Sequence, residues 1–250
     1  SGTVLLLSGK GNNGGDTRIA AEHLPGRSQV VIDAKDPVSG LREFNRALDQ
    51  LPDLVVDGLF GIGLDRDLDE DHCELVRAIN QTQLPVLAVD VPSGLNADTG
   101  EPMGTAIRAR RTVTLGLPKT GLLQPPAADF VGALDVAHRI GLVDDLPDSD
   151  QLWLRSSDLH GMPPARPASG HKGTFGHVGI IAGSTGYHGA ACLCARGALR
   201  ARPGLVSVFT PAYDAVAAQL QAPMVHPWNP DVTEPLSKCT ALVAGPGLAG

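Results

Sequence analysis

The sequence predicts an α/β protein in which parallel sheets are clothed by helices. Three observations carry this. Short apolar runs are continuous rather than alternating, stretches with helical spacing separate them, and the rhythm breaks once before it resumes. A continuous apolar run means a strand buried on both faces, which is the signature of a parallel sheet with helices on each side. The single break predicts two such units in tandem.

The elements follow in order. Residues 4–7 read as a strand, followed by a glycine-rich turn and a helix near 17–24. Residues 29–32 read as a second strand, after which Leu41, Phe44, Leu48 and Leu51 recur at helical spacing. Residues 54–56 form the next buried run, with a helix around 73–80 behind it. Further strands are expected at 86–89, 112–115 and 130–136. From about 142 to 169 the pattern lapses into Asp144, Asp145, Asp148 and Asp150, then Pro163, Pro164 and Pro167, which reads as a linker or domain entry. Alternation resumes with strands at 178–182, 206–210 and 241–244 and helices at 190–202 and 212–220.

Composition narrows the function. At 250 residues and 42% hydrophobic the chain can bury sizeable cores, and its net charge of −7 comes without long basic runs. That argues against a nucleic-acid or membrane-surface partner. The apolar runs are too short to cross a bilayer, and no basic segment leads into an apolar one as in a signal peptide. Cys73, Cys192, Cys194 and Cys239 lack the spacing of a disulfide framework or zinc site, and the Cys192-x-Cys194 pair reads as small-residue helix packing. A reducing, cytoplasmic compartment is expected. Because the chain starts at Ser1 and stops on a glycine-bearing turn, it reads as a piece of something longer.

In open parallel sheets, ligands gather beyond the carboxyl ends of the strands. After the first run comes Gly9-Lys10-Gly11-Asn12-Asn13-Gly14-Gly15-Asp16, and after the third Asp57-Gly58-Leu59-Phe60-Gly61-Ile62-Gly63-Leu64-Asp65-Arg66. After the fourth comes Asp90-Val91-Pro92-Ser93-Gly94-Leu95-Asn96. Three polar, glycine-bearing loops are thus expected to converge on one rim. The first offers free amides at a helix start, suited to phosphate, and Asn12 and Asn13 add side-chain amides for a ligand or cation. Asp57 and Asp90 each end an apolar run, so both carboxylates are expected to be partly desolvated and near one another. Such a pair needs a cation, a shared proton or hydrogen bonds, unless each merely caps a turn. Oxygens of Asn13, Asp57 and Ser93 would suit a hard cation.

These loops resemble those of the YjeF N-terminal family, the epimerase module of NAD(P)H-hydrate repair enzymes. The matching pieces are residues 11–16, 57–63 with Arg66, 90–94 continuing through Asn96-Ala97-Asp98-Thr99-Gly100, and Thr114-Leu115-Gly116-Leu117-Pro118-Lys119-Thr120-Gly121. The second half resembles the dehydratase module of the same enzymes. It does so through His171-Lys172-Gly173, Gly183-Ser184-Thr185-Gly186-Tyr187-His188-Gly189, Arg200-Ala201-Arg202-Pro203-Gly204 and Gly245-Pro246-Gly247. Two departures stand out: Thr17 replaces a usual glycine, and Ala249 interrupts the closing glycine run.

The resemblance implies a Rossmann-like three-layer parallel-sheet domain over 1–142, a linker or entry over 143–168, and the start of a ribokinase-like α/β domain over 169–250. It implies that Asn12, Asn13, Gly14, Gly15 and Asp16 hold the hydrated nucleotide (NADHX or NADPHX) together with Gly61, Ile62, Gly63, Leu64, Asp65, Arg66, Asp67 and Asp90. Potassium would be bound by Asn13, Asp57 and Ser93, and Asp90 would be the catalytic acid and base. In the second domain, Ala190 and Gly247 would contact substrate, and the complete protein would use ADP and Mg2+ to dehydrate the S-hydrate. A homo-oligomer is expected, with no nucleic-acid or membrane partner. Two rivals are a nicotinamide-dependent dehydrogenase, using Gly9, Gly11 and Gly14 with Asp33 as the ribose-binding acid, and a non-catalytic scaffold or RNA-binding member. The first leaves the Asp90–Gly94 loop unexplained; the second would favour lost carboxylates and a basic face.

Overall fold

The apolar runs become strands because each is flanked by segments that can only close as turns or helices. A computed structural model describes residues 2–138, 140–141, 151–163, 165–229 and 233–248. It divides into two units, Ser1–Pro147 and Asp148–Gly250.

The first unit runs β1 (Thr3–Ser8), α1 (Asn12–Glu22), β2 (Ser28–Asp33), α2 (Pro37–Ala47), β3 (Pro52–Gly58), α3 (Glu70–Gln81), β4 (Val86–Val89), β5 (Arg111–Leu115), α4 (Ala128–Val131) and β6 (Ala133–Ala137). Its six strands pair in parallel in the order β2-β1-β3-β4-β5-β6. Successive side chains leave a strand on opposite faces. Leu5, Leu7 and Val55 therefore enter one core with Phe44 of α2 and Leu75, Val76 and Ile79 of α3. Burying each of these larger side chains contributes roughly 1.5–3 kcal/mol. Val4, Leu6 and Val56 enter the opposite core, against Ala21 of α1. Beside α1 this second face opens into an apolar groove of about 530 Å³, floored by Leu6, Val56, Leu87, Val89, Val113 and Leu115.

Helix starts obey local chemistry. Asp36 accepts the Ser39 amide and Pro37 opens α2; Asp69 accepts the His72 amide, with Glu70 and Asp71 in the first turn of α3. By contrast α1 starts at Asn12, upstream of the expected 17–24, and its Gly11 N-cap offers no side chain. It forms there because Gly14 has no Cβ, which would stand 2.2 Å from the Gly9 carbonyl oxygen, and because the Ser8 hydroxyl donates to the Gly14 carbonyl at 2.8 Å. Leu51, expected at helical spacing, is 83% exposed and caps the short 3-10 turn Leu48–Gln50 that follows α2, with φ +50°. The expected strand at 130–136 is a short helix, then a turn at Gly132, then β6.

The second unit runs β7 (His177–Ile181), α5 (His188–Arg200), β8 (Leu205–Thr210), α6 (Tyr213–Ala217), β9 (Met224–Pro227), α7 (Thr233–Ser237) and β10 (Ala241–Ala244). Its parallel sheet is ordered β10-β7-β8-β9. Cys192 is buried on α5 between Ala191 and Ala195, in a core with Ile180, Val206 and Val208. Of the expected linker, residues 142–150 and 164 lie outside the described residues; the described part carries a short 3-10 turn at Ser156–Leu159. Among the described residues no helix is long and apolar enough to cross a membrane.

Candidate functional site

In the first sheet, β1 leads to β2 on one side while β3 leads to β4 on the other. Loops leaving β1 and β3 therefore part at their carboxyl ends and open a crevice, the usual place for a ligand in such sheets. The crevice is a cleft of about 660 Å³ lined by residues 10–13, 59–66, Asp16 and Asp90. Its walls approach closely below: a Cβ on Gly9 would stand 1.9 Å from the Leu59 carbonyl oxygen.

Asn13, Asp57 and Ser93, distant in sequence, are joined beneath this cleft through the Phe60 peptide. The Asn13 amide Nδ2 donates to the carbonyls of Phe60 at 2.7 Å and Val89 at 2.9 Å, tying α1 to the ends of β3 and β4. The Phe60 amide donates to Ser93 Oγ at 2.9 Å. Ser93 in turn donates to Asp57, from Oγ to Oδ1 at 2.6 Å and from its amide to Oδ2 at 2.8 Å. The Leu59 amide adds a third donor to Asp57 at 3.2 Å. Asp57 is wholly buried, and desolvation pushes its carboxyl up from 3.8 to about 6 against the pull of those hydrogen bonds. Its hydrogen-bond donors are all neutral groups.

Asn13 Oδ1 is buried and has no hydrogen-bond partner among the described residues. A buried acceptor left unpaired costs about 1–3 kcal/mol, so a ligand or cation that meets it is favoured. Asn13, Asp57 and Ser93 offer oxygens of the kind a hard cation takes, and a positive ion there would offset the buried negative charge of Asp57.

Asp90 sits at the end of β4 with φ +66°, a left-handed conformation uncommon outside glycine. Its amide donates to the Val113 carbonyl at 2.8 Å, which holds the turn. Oδ1 accepts from Thr114 Oγ1 at 3.2 Å, from the Leu115 amide at 3.0 Å and from the Lys119 ammonium. Oδ2 faces Gly61, where a Cβ would lie 3.7 Å away. The two carboxylates thus reach separate partners rather than sharing a proton.

Of the expected nucleotide contacts, Asn12, Asn13, Asp16, Gly61, Ile62, Gly63, Leu64, Asp65, Arg66 and Asp90 line the cleft, whereas Gly14, Gly15 and Asp67 do not. Asp57 and Ser93 lie behind it, reached through the Phe60 peptide. Lys10, Leu59 and Phe60 line it without having been singled out, and Gly11, expected only in the dehydrogenase rival, lines it too. Lys119 was visible only as part of a motif; its partner Asp90 lies too far back in the chain for spacing to reveal the pair. Asp33 is off the cleft, accepting the Lys35 amide and pairing with its ammonium at 3.1 Å. The Asn96 side chain accepts the amides of Asp98 and Thr99, both at 2.9 Å, and so shapes the loop behind Ser93.

In the second unit, Ala190 and Gly247 do meet: a Cβ on Gly247 would lie 2.8 Å from that of Ala190, and Gly247 has φ +69°. Ser184 Oγ donates to the Gly247 carbonyl at 2.8 Å, and the Gly183 amide donates to the Pro246 carbonyl at 2.8 Å. The loops after β7 and β10 therefore close on one another.

Residues 29–121 match the model of the YjeF-related protein N-terminus, and residues 178–250 match that of NAD(P)H-hydrate dehydratase. A Gloeobacter violaceus protein named bifunctional NAD(P)H-hydrate repair enzyme Nnr is 38% identical over 98% of this chain and 55% of its own length. Proteins of the same name from Coxiella burnetii and Escherichia coli are each 34% identical over 98% of this chain, covering 55% and 52% of their own lengths. The chain spans about half the length of these curated relatives. Residues 29–121 are thus similar to the YjeF-related N-terminus and residues 178–250 to NAD(P)H-hydrate dehydratase, and similarity to proteins named bifunctional NAD(P)H-hydrate repair enzyme is sustained across nearly the whole chain.

Proposed function

We propose that the domain over residues 1–142 interconverts the R- and S-hydrates of NADH or NADPH. The observation that carries this reading is Asp90: one carboxylate oxygen is saturated by donors while the other faces a cleft of dinucleotide-binding topology. Epimerisation breaks the C6–O bond of the hydrated ring and re-forms it on the other face. A proton from Asp90 Oδ2 lets hydroxide leave as water while the ring nitrogen supplies the electron pair. Water then adds to C6, and Oδ2 takes back the proton. The surrounding cleft, from Asn12, Asn13 and Asp16 to residues 61–66, would hold the nucleotide. Gly14, Gly15 and Asp67 would support those walls.

Potassium would be held by Asn13, Asp57 and Ser93. It would supply fixed positive charge that offsets Asp57 and satisfies Asn13 Oδ1. Residues 143–168 would serve as the domain entry and 169–250 as part of the dehydratase domain. In the complete protein, that domain would phosphorylate the S-hydrate hydroxyl using ADP with Mg2+ and eliminate phosphate, with Ala190 and Gly247 at the substrate. A cytoplasmic homo-oligomer fits the same reading. A dehydrogenase is disfavoured because Asp33 is off the cleft and paired with Lys35.

The test is to incubate the chain with each purified hydrate epimer and follow both by chromatography, with and without ADP. Interconversion independent of ADP is expected. Failure to interconvert either epimer sinks the epimerase reading.

A further inference from the structure

Lys119 has no role in the scheme above, yet its side chain is among the most closely held polar groups of the first unit. Its ammonium donates to Asp90 Oδ1, to Thr114 Oγ1 at 3.0 Å and to the Leu115 carbonyl at 2.9 Å. An ammonium has three N–H donors, so this set uses them all and leaves none for a ligand. The Lys119 and Asp90 side chains are only 18% and 12% exposed. Charge-assisted bonds are stronger at such depth than at a wet surface.

The consequence falls on Asp90. A carboxylate on a single rotatable bond can present either oxygen to a cleft. Here the Lys119 ammonium, the Thr114 hydroxyl and the Leu115 amide all converge on Oδ1. Rotation would break three hydrogen bonds together, so Oδ2 is the oxygen kept for the cleft. Thr114 and Lys119 are themselves linked, Thr114 within β5, the strand beside β4, and Lys119 in the loop after it. A guanidinium would not replace the ammonium, because its planar fork does not match three acceptors arranged around a point.

We propose that Lys119 is a positioning residue for the epimerisation proposed above: it pins Asp90 Oδ1 so that Oδ2 alone carries the proton to the leaving hydroxyl and back. The inference rests on that reading and adds a residue and a function to it.

The experiment uses the full chain at saturating potassium, with Lys119→Met, Lys119→Ala, Lys119→Arg and Asp90→Asn. With the carboxylate free to turn, kcat for epimer interconversion in Lys119→Met is expected to fall roughly 10²-fold, the scale of a small misplacement of a reacting group, while KM stays within about twofold. Lys119→Arg is expected not to recover it. Added methylammonium is expected to restore part of the rate of Lys119→Ala and none of that of Asp90→Asn. An unchanged kcat, a rise in KM alone, or no response to methylammonium in a variant that melts like the parent overturns the proposal.

A second measurement needs no variant at position 119. In parent chain carrying 15N-lysine, one ammonium signal should exchange slowly with water and should be lost in Asp90→Asn. Absence of that signal overturns the pinning even if the Lys119 variants do not fold. A parent chain inert towards both hydrates sinks the epimerase reading itself, and with it the catalytic purpose of the pin. An active parent with indifferent Lys119 variants sinks only the present inference.

Discussion

At the scale of single residues, Gly58 and Thr17 share one small space. A Cβ on Gly58 would stand 1.8 Å from Thr17 Oγ1, and that hydroxyl is already committed to the Asn13 carbonyl at 2.9 Å. Thr17 is accommodated because the strand packed against it carries glycine. Gly58→Ala is therefore expected to cost about 1–3 kcal/mol through overpacking. Adding Thr17→Gly should recover part of it, giving a coupling on the order of 1 kcal/mol in a denaturant double-mutant cycle. Strict additivity would show that the two side chains do not compete. Asp90 makes the complementary prediction. Asp90→Asn keeps the shape and one oxygen acceptor but removes the proton carrier and the charge paired with Lys119, so the chain should still fold, with a lowered melting temperature, while hydrate interconversion stops. Equal chromatographic rates in mutant and parent would rule out an acid–base role.

Secondary-structure elements were legible where local chemistry decides them. The start of α3 follows from Asp69, whose carboxylate accepts the His72 amide at 2.9 Å and contacts the His72 ring at 2.7 Å. Asp69→Ala is expected to cost about 1 kcal/mol, largely recovered by Asp69→Ser. The His72 amide and ring hold the Asp69 carboxyl below its ordinary 3.8. Its folded value being the lower one, the stabilisation is fully present above about pH 4 to 5, and it is lost as pH falls through that depressed value. Urea melts at pH 7 and at pH 3 or below should show the gap between parent and Asp69→Ala narrowing only in acid. Elements without such signals were misread. The glycine-rich stretch that reads as a turn is the first turn of α1, because its glycines are required by close backbone approach at Gly9 and Gly14. β9 was missed because Met224–Pro227 carries histidine and proline in place of an apolar run, and edge pairing with β8 alone makes it a strand.

At the scale of the whole first unit, the site belongs to no element. It exists because loops from β1, β3 and β4 are brought to one crevice, and Asn13 holds two of them through the Phe60 and Val89 carbonyls. A cation at Asn13, Asp57 and Ser93 would brace the same loops that form the cleft walls. Exchanging potassium for tetramethylammonium is accordingly expected to weaken dinucleotide binding roughly tenfold, within the usual range for coupled sites. Calorimetric titration in the two salts at equal ionic strength measures this, and an unchanged Kd would discard the cation site.

Apolar runs, cap residues and the three polar loops that follow the strands could be read from sequence alone, because periodicity and capping act over a few neighbouring residues. Together they determined the parallel α/β architecture and the loops from which a site had to be drawn. Tertiary structure alone decided which atoms of those loops do what. Among the described residues, it set Asp57 and Ser93 behind the cleft rather than on its wall, left Asn13 Oδ1 without a partner, and gave Asp90 one oxygen held by donors and one that faces the cleft. Each outcome depends on sheet order and register, which bring together residues that lie tens of positions apart in the chain.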